Sequence, residues 1–153
     1  MLIAVHAAIG ALIGENVPNP WWAFGLSFIF HFICDIIPHG DQEQVRYYKS
    51  KKRLNKIVSL VLVDATICIF FLANYFSDAR GMITNFKPII AGIIGGILPD
   101  MLVAFYHLNK KYFFRLNYVH HRTHQLFPVN LPFSVAFIGQ MILLYIIWNL
   151  YQI

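Results

Sequence analysis

Charged residues are scarce in this sequence. Asp, Glu, Lys and Arg make up 12% of its 153 residues, whereas hydrophobic residues make up 58%. A soluble domain carries charge on about a quarter of its residues. The composition therefore excludes an ordinary soluble domain and indicates a membrane protein. The length suits one compact bundle, so we expect residues 1–153 to form a single membrane-embedded helical domain.

Cysteine is also scarce. Cys34 and Cys68 both lie in apolar segments, and neither has a CxxC partner. This excludes a disulfide framework and suggests two packing residues.

Residues 1–14 lack a basic region and are followed by no small-x-small cleavage site, which argues against a secretory signal peptide.

The net charge of +5 comes from basic residues in short loops between apolar runs. Nucleic-acid binding would instead need them along one face with aromatic side chains. Residues 39–56 carry six Lys and Arg, residues 107–127 carry four, and only Arg80 and Lys87 lie between the third and fourth apolar runs. The positive-inside rule places the first two loops and the N-terminus in the cytoplasm, and the C-terminus outside. No nucleic-acid partner is expected.

The apolar runs predict an all-α, polytopic membrane bundle of about five hydrophobic helices. They cover residues 2–14, 21–37, 57–76, 83–106 and 128–151. The first run is short for a hydrocarbon core of ~30 Å, so its span is the weakest of the five. Gly92 and Gly96 form a GxxxG pair that favours close helix packing. Pro99 is expected to kink or break the fourth helix.

The stretch HFICDIIPHGD, residues 31–41, carries four polar side chains out of an apolar run. His31 and Asp35 lie one helical turn apart, so both can reach one ion. Pro38 is expected to end the helix and to return His39 and Asp41 towards that end. A lone histidine on an apolar helix is more often a hydrogen-bonded core residue, but four such groups in eleven residues favour a metal site.

Further polar groups fall at the same cytoplasmic depth as this stretch. His6 opens the first run, Asp64 and Asp100 lie inside the third and fourth, and His120 and His124 precede the fifth. We therefore predict one shared polar site towards the cytoplasm. The predicted metal ligands are His6, His31, Asp35, His39, Asp100, His120 and His124. Asp41, Asp64 and Arg122 are the predicted catalytic residues.

Imidazole and carboxylate together favour zinc, while manganese or iron also fit. The number of candidates exceeds the need of one ion, so two or three ions are predicted. Such a centre activates a water and holds the oxygens of a phosphoryl group. Arg122, with Arg115 and Lys111, could receive an anionic head group. His107 is read as an interfacial residue, and one of His120 and His121 as a bystander.

The ordered motifs resemble a known family. His6 followed by Gly10, then HFICDIIPHGD, GGILPD (95–100) and HHRTH (120–124), resemble the membrane-bound metal-dependent hydrolases of bacterial inner membranes, described as LexA-regulated in some bacteria. The pair His31 and Asp35 also looks like ligand pairs of zinc-dependent phospholipase C. These resemblances imply hydrolysis of a phosphoester or other ester bond in a lipid or amphiphilic substrate at the inner membrane.

Two other classes of function compete with hydrolysis. Acids and histidines inside membrane segments also mark ion pathways, which would suit a transition-metal or proton-coupled transporter. A non-catalytic membrane interaction protein could simply pair its histidines with acids. The predicted polar groups stop at one side of the membrane, which favours a hydrolase over a transporter.

Overall fold

A computed structural model describes residues 1–40, 54–78, 85–127, 129 and 131–151. These residues form six α-helices and no strand, which confirms the all-α class. The helices are α1 (Ile3–Asn16), α2 (Pro20–Asp35), α3 (Leu54–Asp78), α4 (Lys87–Leu108), α5 (Phe114–Thr123) and α6 (Phe133–Leu150).

Three helices are long and apolar enough to cross a membrane: α3 over Val58–Ser77, α4, and α6. With 14 and 16 residues, α1 and α2 extend only about 21 Å and about 24 Å. Both are short for a hydrocarbon core of ~30 Å. The expectation of about five spans is therefore not confirmed. The described residues contain three candidate spans, the shorter apolar helix α1, and α2, which carries His31 and Asp35 near its end.

The shortest apolar helix, α1, lies at the centre of the bundle. It contributes five residues to the hydrophobic core, and all of them are 0% exposed: Ala4, Val5, Ala7, Ala8 and Ala11. Eight of its 14 residues are buried, and a helix buried to this extent belongs inside the protein rather than against lipid. The bilayer thickness therefore does not set its length. Helices α2, α3, α4 and α6 all pack against it.

Glycines let α4 approach its neighbours closely. A Cβ added to Gly92 would collide with the carbonyl oxygen of Gly10 in α1, and one added to Gly95 would collide with that of Phe24 in α2. Small residues at helix contacts are how membrane helices gain van der Waals packing. The predicted GxxxG contact of Gly92 and Gly96 is thus confirmed. This pair packs on α1, where a Cβ on Gly96 would collide with the carbonyl oxygen of His6, whereas Gly95 packs on α2.

The first turn of α1 is tied to two other helices. The backbone N–H of Leu2 donates to Gln140 Oε1 of α6 at 2.6 Å. The N–H groups of Ile3 and Ala4 donate to the two carboxylate oxygens of Asp64 in α3 at 2.8 and 3.1 Å. A helix N-terminus leaves such donors without intrahelical partners, and these side chains satisfy them. The contacts fix the end of α1 that carries His6.

Helix α4 runs through Pro99 without interruption, so of the two predicted effects, a kink or a break, the break is wrong and the kink stays a prediction. Proline removes only one backbone hydrogen bond and crowds one carbonyl of the preceding turn. Pro99 is buried, as are Gly92, Gly95 and Gly96, and their packing keeps the helix whole. The continuous helix carries Asp100 directly beyond the glycine contact.

Replacing Gly92 with Ala should lower the stability of the fold. The new methyl group meets the backbone of Gly10, and overpacking of this kind typically costs about 1–3 kcal/mol. Thermal unfolding in detergent measures the effect. Gly139→Ala is the matched control, because a Cβ at Gly139 meets nothing within 4 Å and alanine favours the helix. Equal melting temperatures for the two variants would contradict the packing described above.

Candidate metal centre

Helix α2 presents two ligands at its C-terminal end. Its start is fixed by Asn19, whose side chain accepts from the N–H groups of Trp21 and Trp22 at 2.9 and 3.3 Å. It ends at Asp35, and His31 lies one turn earlier on the same face. Both side chains are 1% exposed. An ionisable pair buried this deeply needs compensating partners.

Helix α5 brings further ligands from the segment after α4. Phe113 adopts a left-handed conformation with φ of 59° immediately before α5 begins, and α5 packs against α2 and α4. His120 and His124 lie one turn apart at its C-terminal end. Their rings are 4.5 Å apart, centroid to centroid. The one-turn spacing seen in α2 is thus repeated in α5.

Five imidazoles surround the carboxylate of Asp35. The Nε2 atoms of His31 and His120 lie 3.1 Å from Oδ2, and that of His124 lies 3.4 Å from it. The other oxygen, Oδ1, is approached by Nε2 of His6 at 3.2 Å and of His39 at 3.9 Å. The amino group of Met1 donates to Oδ1 at 3.0 Å. Asp35 is therefore the geometric centre of the cluster.

Asp100 adds a second carboxylate beside the same imidazoles. Its Oδ1 lies 3.0 Å from Nε2 of His120 and 3.7 Å from Nε2 of His31. With it, all seven predicted metal ligands converge on one place. They come from four helices and from the turn that follows α2.

Backbone carbonyls fix the tautomers of two histidines. Nδ1 of His31 lies 2.7 Å from the carbonyl oxygen of Gly96, and Nδ1 of His39 lies 2.6 Å from that of Ile37. A carbonyl can only accept, so each Nδ1 carries the hydrogen. In the neutral ring, Nε2 then presents a lone pair. Both lone pairs face Asp35, which can also only accept when it is ionised.

A cation placed between these acceptor atoms would be bound by all of them, so that they no longer repel one another. Among the described residues, the buried atoms Nε2 of His6 and Nε2 of His31 have no hydrogen-bond donor or acceptor assigned to them. Protonating every ring would instead place several positive charges within a few ångströms, which like-charge repulsion disfavours. A metal ion accepts lone pairs from imidazole and carboxylate together. The donor set therefore fits a divalent cation.

The described side chains form two groups that could each hold a metal ion. One consists of His31, Asp35, Asp100 and His120, and the other of Asp35, His39 and His124. Within each group, the ligand atoms lie within 4.8 Å of one another. Asp35 belongs to both groups. A carboxylate shared in this way can offer one oxygen to each of two neighbouring ions.

The charge state of His120 reflects its two carboxylate neighbours. Burial lowers the pKa of His120, but hydrogen bonds and charge attraction to Asp100 and Asp35 outweigh it and raise the pKa to about 9. In the metal-free protein at neutral pH, His120 therefore carries a proton. A metal ion must displace that proton before Nε2 can bind it.

Two of the three predicted catalytic residues are described, and both have other contacts. Asp64 uses both carboxylate oxygens on the first turn of α1. Arg122 is exposed, with its guanidinium 5.9 Å from the ring centre of Tyr118. It lies two positions from His120, about 200° around the helix. Asp41, the third, lies outside the described residues.

The remaining histidines stand apart from the cluster. His121 is exposed and lies 2.9 Å from Nε2 of Gln125, which makes it the bystander of the pair at 120 and 121. His107 is also exposed and lies 3.0 Å from Nζ of Lys110. Neither residue belongs to a group of described side chains that could hold a metal ion.

A cavity of about 220 Å³ borders the cluster. His39 and Asp100 face it from the cluster, and Asp64 and Gln140 face it from α3 and α6. Gln140 and the carbonyl of Gly96 were missed at the level of sequence. Gln140 is the only amide side chain between residues 131 and 148 of the last apolar run, a signal that could have indicated it. A backbone carbonyl leaves no such signal.

No protein-family description, curated protein or solved structure matches the chain. The geometry of the site is therefore the basis for inferring the function. The resemblance of the short motifs to membrane-bound metal-dependent hydrolases therefore stays a prediction. The fold and site define an all-helical protein with three candidate membrane spans and a His/Asp cluster that could bind metal.

Replacing His120 with Ala should remove metal from the protein. The variant loses the ligand atom that lies about 3 Å from both carboxylates, whereas His121→Ala changes only an exposed neighbour. Elemental analysis after zinc loading and dialysis should find about two ions per chain in the parent protein and in His121→Ala. His120→Ala should retain fewer than half as many. Equal zinc contents in the two variants would show that His120 is not a metal ligand.

Zinc affinity should increase with pH. Because the pKa of His120 is raised to about 9, one proton must leave for each ion bound at this ring. Affinity should therefore rise about tenfold per pH unit from about pH 7 towards pH 9. Competition with a chelator of known affinity measures the slope. A flat profile would show that His120 does not exchange a proton for zinc.

Proposed function

We propose that this protein is a membrane-embedded, metal-dependent hydrolase that cleaves a phosphoester or other ester bond in a lipid or amphiphilic substrate. One observation carries the proposal: Asp35 is shared by two His/Asp groups whose ligand atoms lie within 4.8 Å of one another in each group. This arrangement suits a two-metal centre more than a single structural ion, for which four ligands suffice.

Zinc is the proposed metal, because imidazole nitrogens and carboxylate oxygens together are its common ligands, and manganese or iron would use the same set. When bound, such ions lower the pKa of a coordinated water and offset the charge that develops on the ester. A water is the proposed nucleophile.

Other residues of the chain orient the ligands, face the substrate and hold α1 in place. His31 and His39 are oriented by the carbonyls of Gly96 and Ile37, so their Nε2 atoms stay aimed at Asp35. Asp100 keeps 18% of its side chain exposed and lines the cavity. It is therefore the carboxylate placed to meet both a substrate and His120. Asp64 and Gln140 support α1 and thereby hold His6 in position.

The substrate class follows from the surroundings of the site. The cavity beside the cluster lies between α3 and α6, both long and apolar enough to cross a membrane. An amphiphile can place its polar group at such a site while its apolar part stays in the bilayer. The concentration of Lys and Arg in residues 39–56 and 107–127 supports a site on the cytoplasmic side of an inner membrane.

The transporter alternative is less favoured. Both groups that could hold a metal share Asp35, and the described residues contain no further group of this kind elsewhere. An ion crossing the membrane would need further ligands along its path. Hydrolysis needs only the one centre.

Activity should depend on zinc and on Asp35. Zinc-loaded protein in nanodiscs, given hexadecyl phosphate, phosphatidylglycerol vesicles and 4-methylumbelliferyl palmitate, should release phosphate, a phosphorylated head group or the fluorophore from at least one of them. Asp35→Asn should lower the rate by at least about a hundredfold, because mutation at the metal shell costs activity on this scale.

His121→Ala is the control and should retain the parent rate. Metal-loaded protein that cleaves none of these probes, or Asp35→Asn with undiminished activity, would contradict the hydrolase. Zinc accumulation in proteoliposomes without hydrolysis would favour transport.

A further inference from the structure

Two separate cavities follow one another along α3 and α6, from the candidate metal centre towards the C-terminal ends of both helices, and are together called the crevice. Its first part is the cavity of about 220 Å³ that borders the cluster. Its second part is a cavity of about 330 Å³ between the later turns of the same two helices. Residues near the starts of α3 and α6 line the first, and residues further along both helices line the second. The two helices therefore run in the same direction on either side of the crevice.

The lining residues form one stripe on each helix. On α3 they include positions 60, 64, 67, 71 and 74, and on α6 positions 133, 137, 140, 144 and 148. Steps of three and four residues keep side chains on one helix face. The two cavities thus belong to the same pair of faces. About one helical turn, from Gln140 to Leu144, separates them on α6.

The crevice changes from polar to apolar along its length. Asp64, Asp100 and Gln140 line the part next to the metal centre. Ile67, Phe71 and Leu144 line the part further away. Phe71 and Trp148 meet edge to face there, with ring centroids 5.7 Å apart. This order matches a molecule with one polar end and one apolar chain.

The structure assigns this crevice to the acyl chain of an amphiphilic substrate whose phosphate or ester group lies at the metal centre. The assignment rests on the proposed function and extends it by naming where the substrate's chain binds. The position of the two cavities selects this occupant: the polar cavity borders the His/Asp cluster, and the apolar cavity follows one helical turn further along the same two helices. The length of the crevice on α6 from Gln140 to Trp148, about 12 Å, suits a single chain.

The open side of the crevice faces outward on the candidate spans. Phe70 and Tyr145, which line the second cavity, are 70% and 68% exposed. A chain could therefore enter sideways from the bilayer while remaining in an apolar environment. Burying each additional methylene in the crevice adds binding energy. Long-chain substrates should be preferred over short ones for this reason.

Photolabelling tests the assignment without requiring hydrolysis. Zinc-loaded full-length protein in nanodiscs is labelled with hexadecyl phosphonate that bears a diazirine in mid-chain. Labels read by mass spectrometry should concentrate on Ile67, Phe70 and Leu144. Unlabelled hexadecyl phosphonate should reduce them at least about tenfold, and butyl phosphonate should not. Labels on the outward residues Ile69 and Ile142 should not respond to either competitor.

A blocking variant tests the same crevice by kinetics. Ile67→Trp should lower kcat/KM for hexadecyl phosphate at least about tenfold and change that for butyl phosphate less than about twofold. Ile69→Trp, on the exposed face two residues away, should leave both values unchanged. Zinc retention by each variant reports its folding. Should Ile67→Trp fail to retain zinc, the labelling of the parent protein decides alone.

The two proposals fail in different ways. Hydrolysis without a chain-length preference, together with labels spread evenly over α3 and α6, would contradict the assignment of the crevice to the acyl chain. The hydrolase proposal would be unaffected. Labels confined to the crevice and displaced by the long phosphonate, without hydrolysis of any probe, would support the crevice and overturn the hydrolase.

Discussion

The structure depends on one buried carboxylate and on what compensates its charge. Asp35 is 1% exposed and has five imidazole Nε2 atoms within 3.9 Å of its oxygens. Burying a carboxylate is costly unless it is paired or coordinates a metal. Two of the rings face it with lone pairs, because their Nδ1 atoms donate to backbone carbonyls. A bound cation would accept these lone pairs, and the facing acceptors would become its ligands.

The rest of the bundle can be understood as the scaffold for that centre. Small residues along α1 and the glycines of α4 bring backbones close enough for helices α1, α2 and α4 to converge. Asp64 and Gln140 use their polar atoms on the first turn of α1, which places His6 beside Asp35. Helix α5 contains no fully buried residue, yet its last turn contributes His120. A metal ion would therefore also join α5 to the bundle.

Helical spacing allowed part of the site to be predicted. His31 with Asp35, and His120 with His124, each lie one turn apart in sequence, and membrane orientation placed Asp100 and His6 at the same depth. The role of Asp64 could not be predicted, because its partners are backbone N–H groups, which every residue but proline carries. The central place of α1 was also missed, since short length alone does not distinguish a buried helix from a poor span. Arg122 is exposed and lies about 200° around α5 from His120, a position that the motif alone does not give. Its catalytic role stays a prediction.

The central proposal is that Asp35 would be shared by two metal ions, and X-ray absorption at the zinc edge of the zinc-loaded protein tests it most directly. The account predicts a first shell of nitrogen and oxygen at about 2.0–2.2 Å. It also predicts a second zinc at about 3.5–4 Å and the loss of that zinc–zinc distance in Asp35→Asn. A protein that retains no zinc, or whose spectrum shows an isolated ion unchanged by Asp35→Asn, would contradict it.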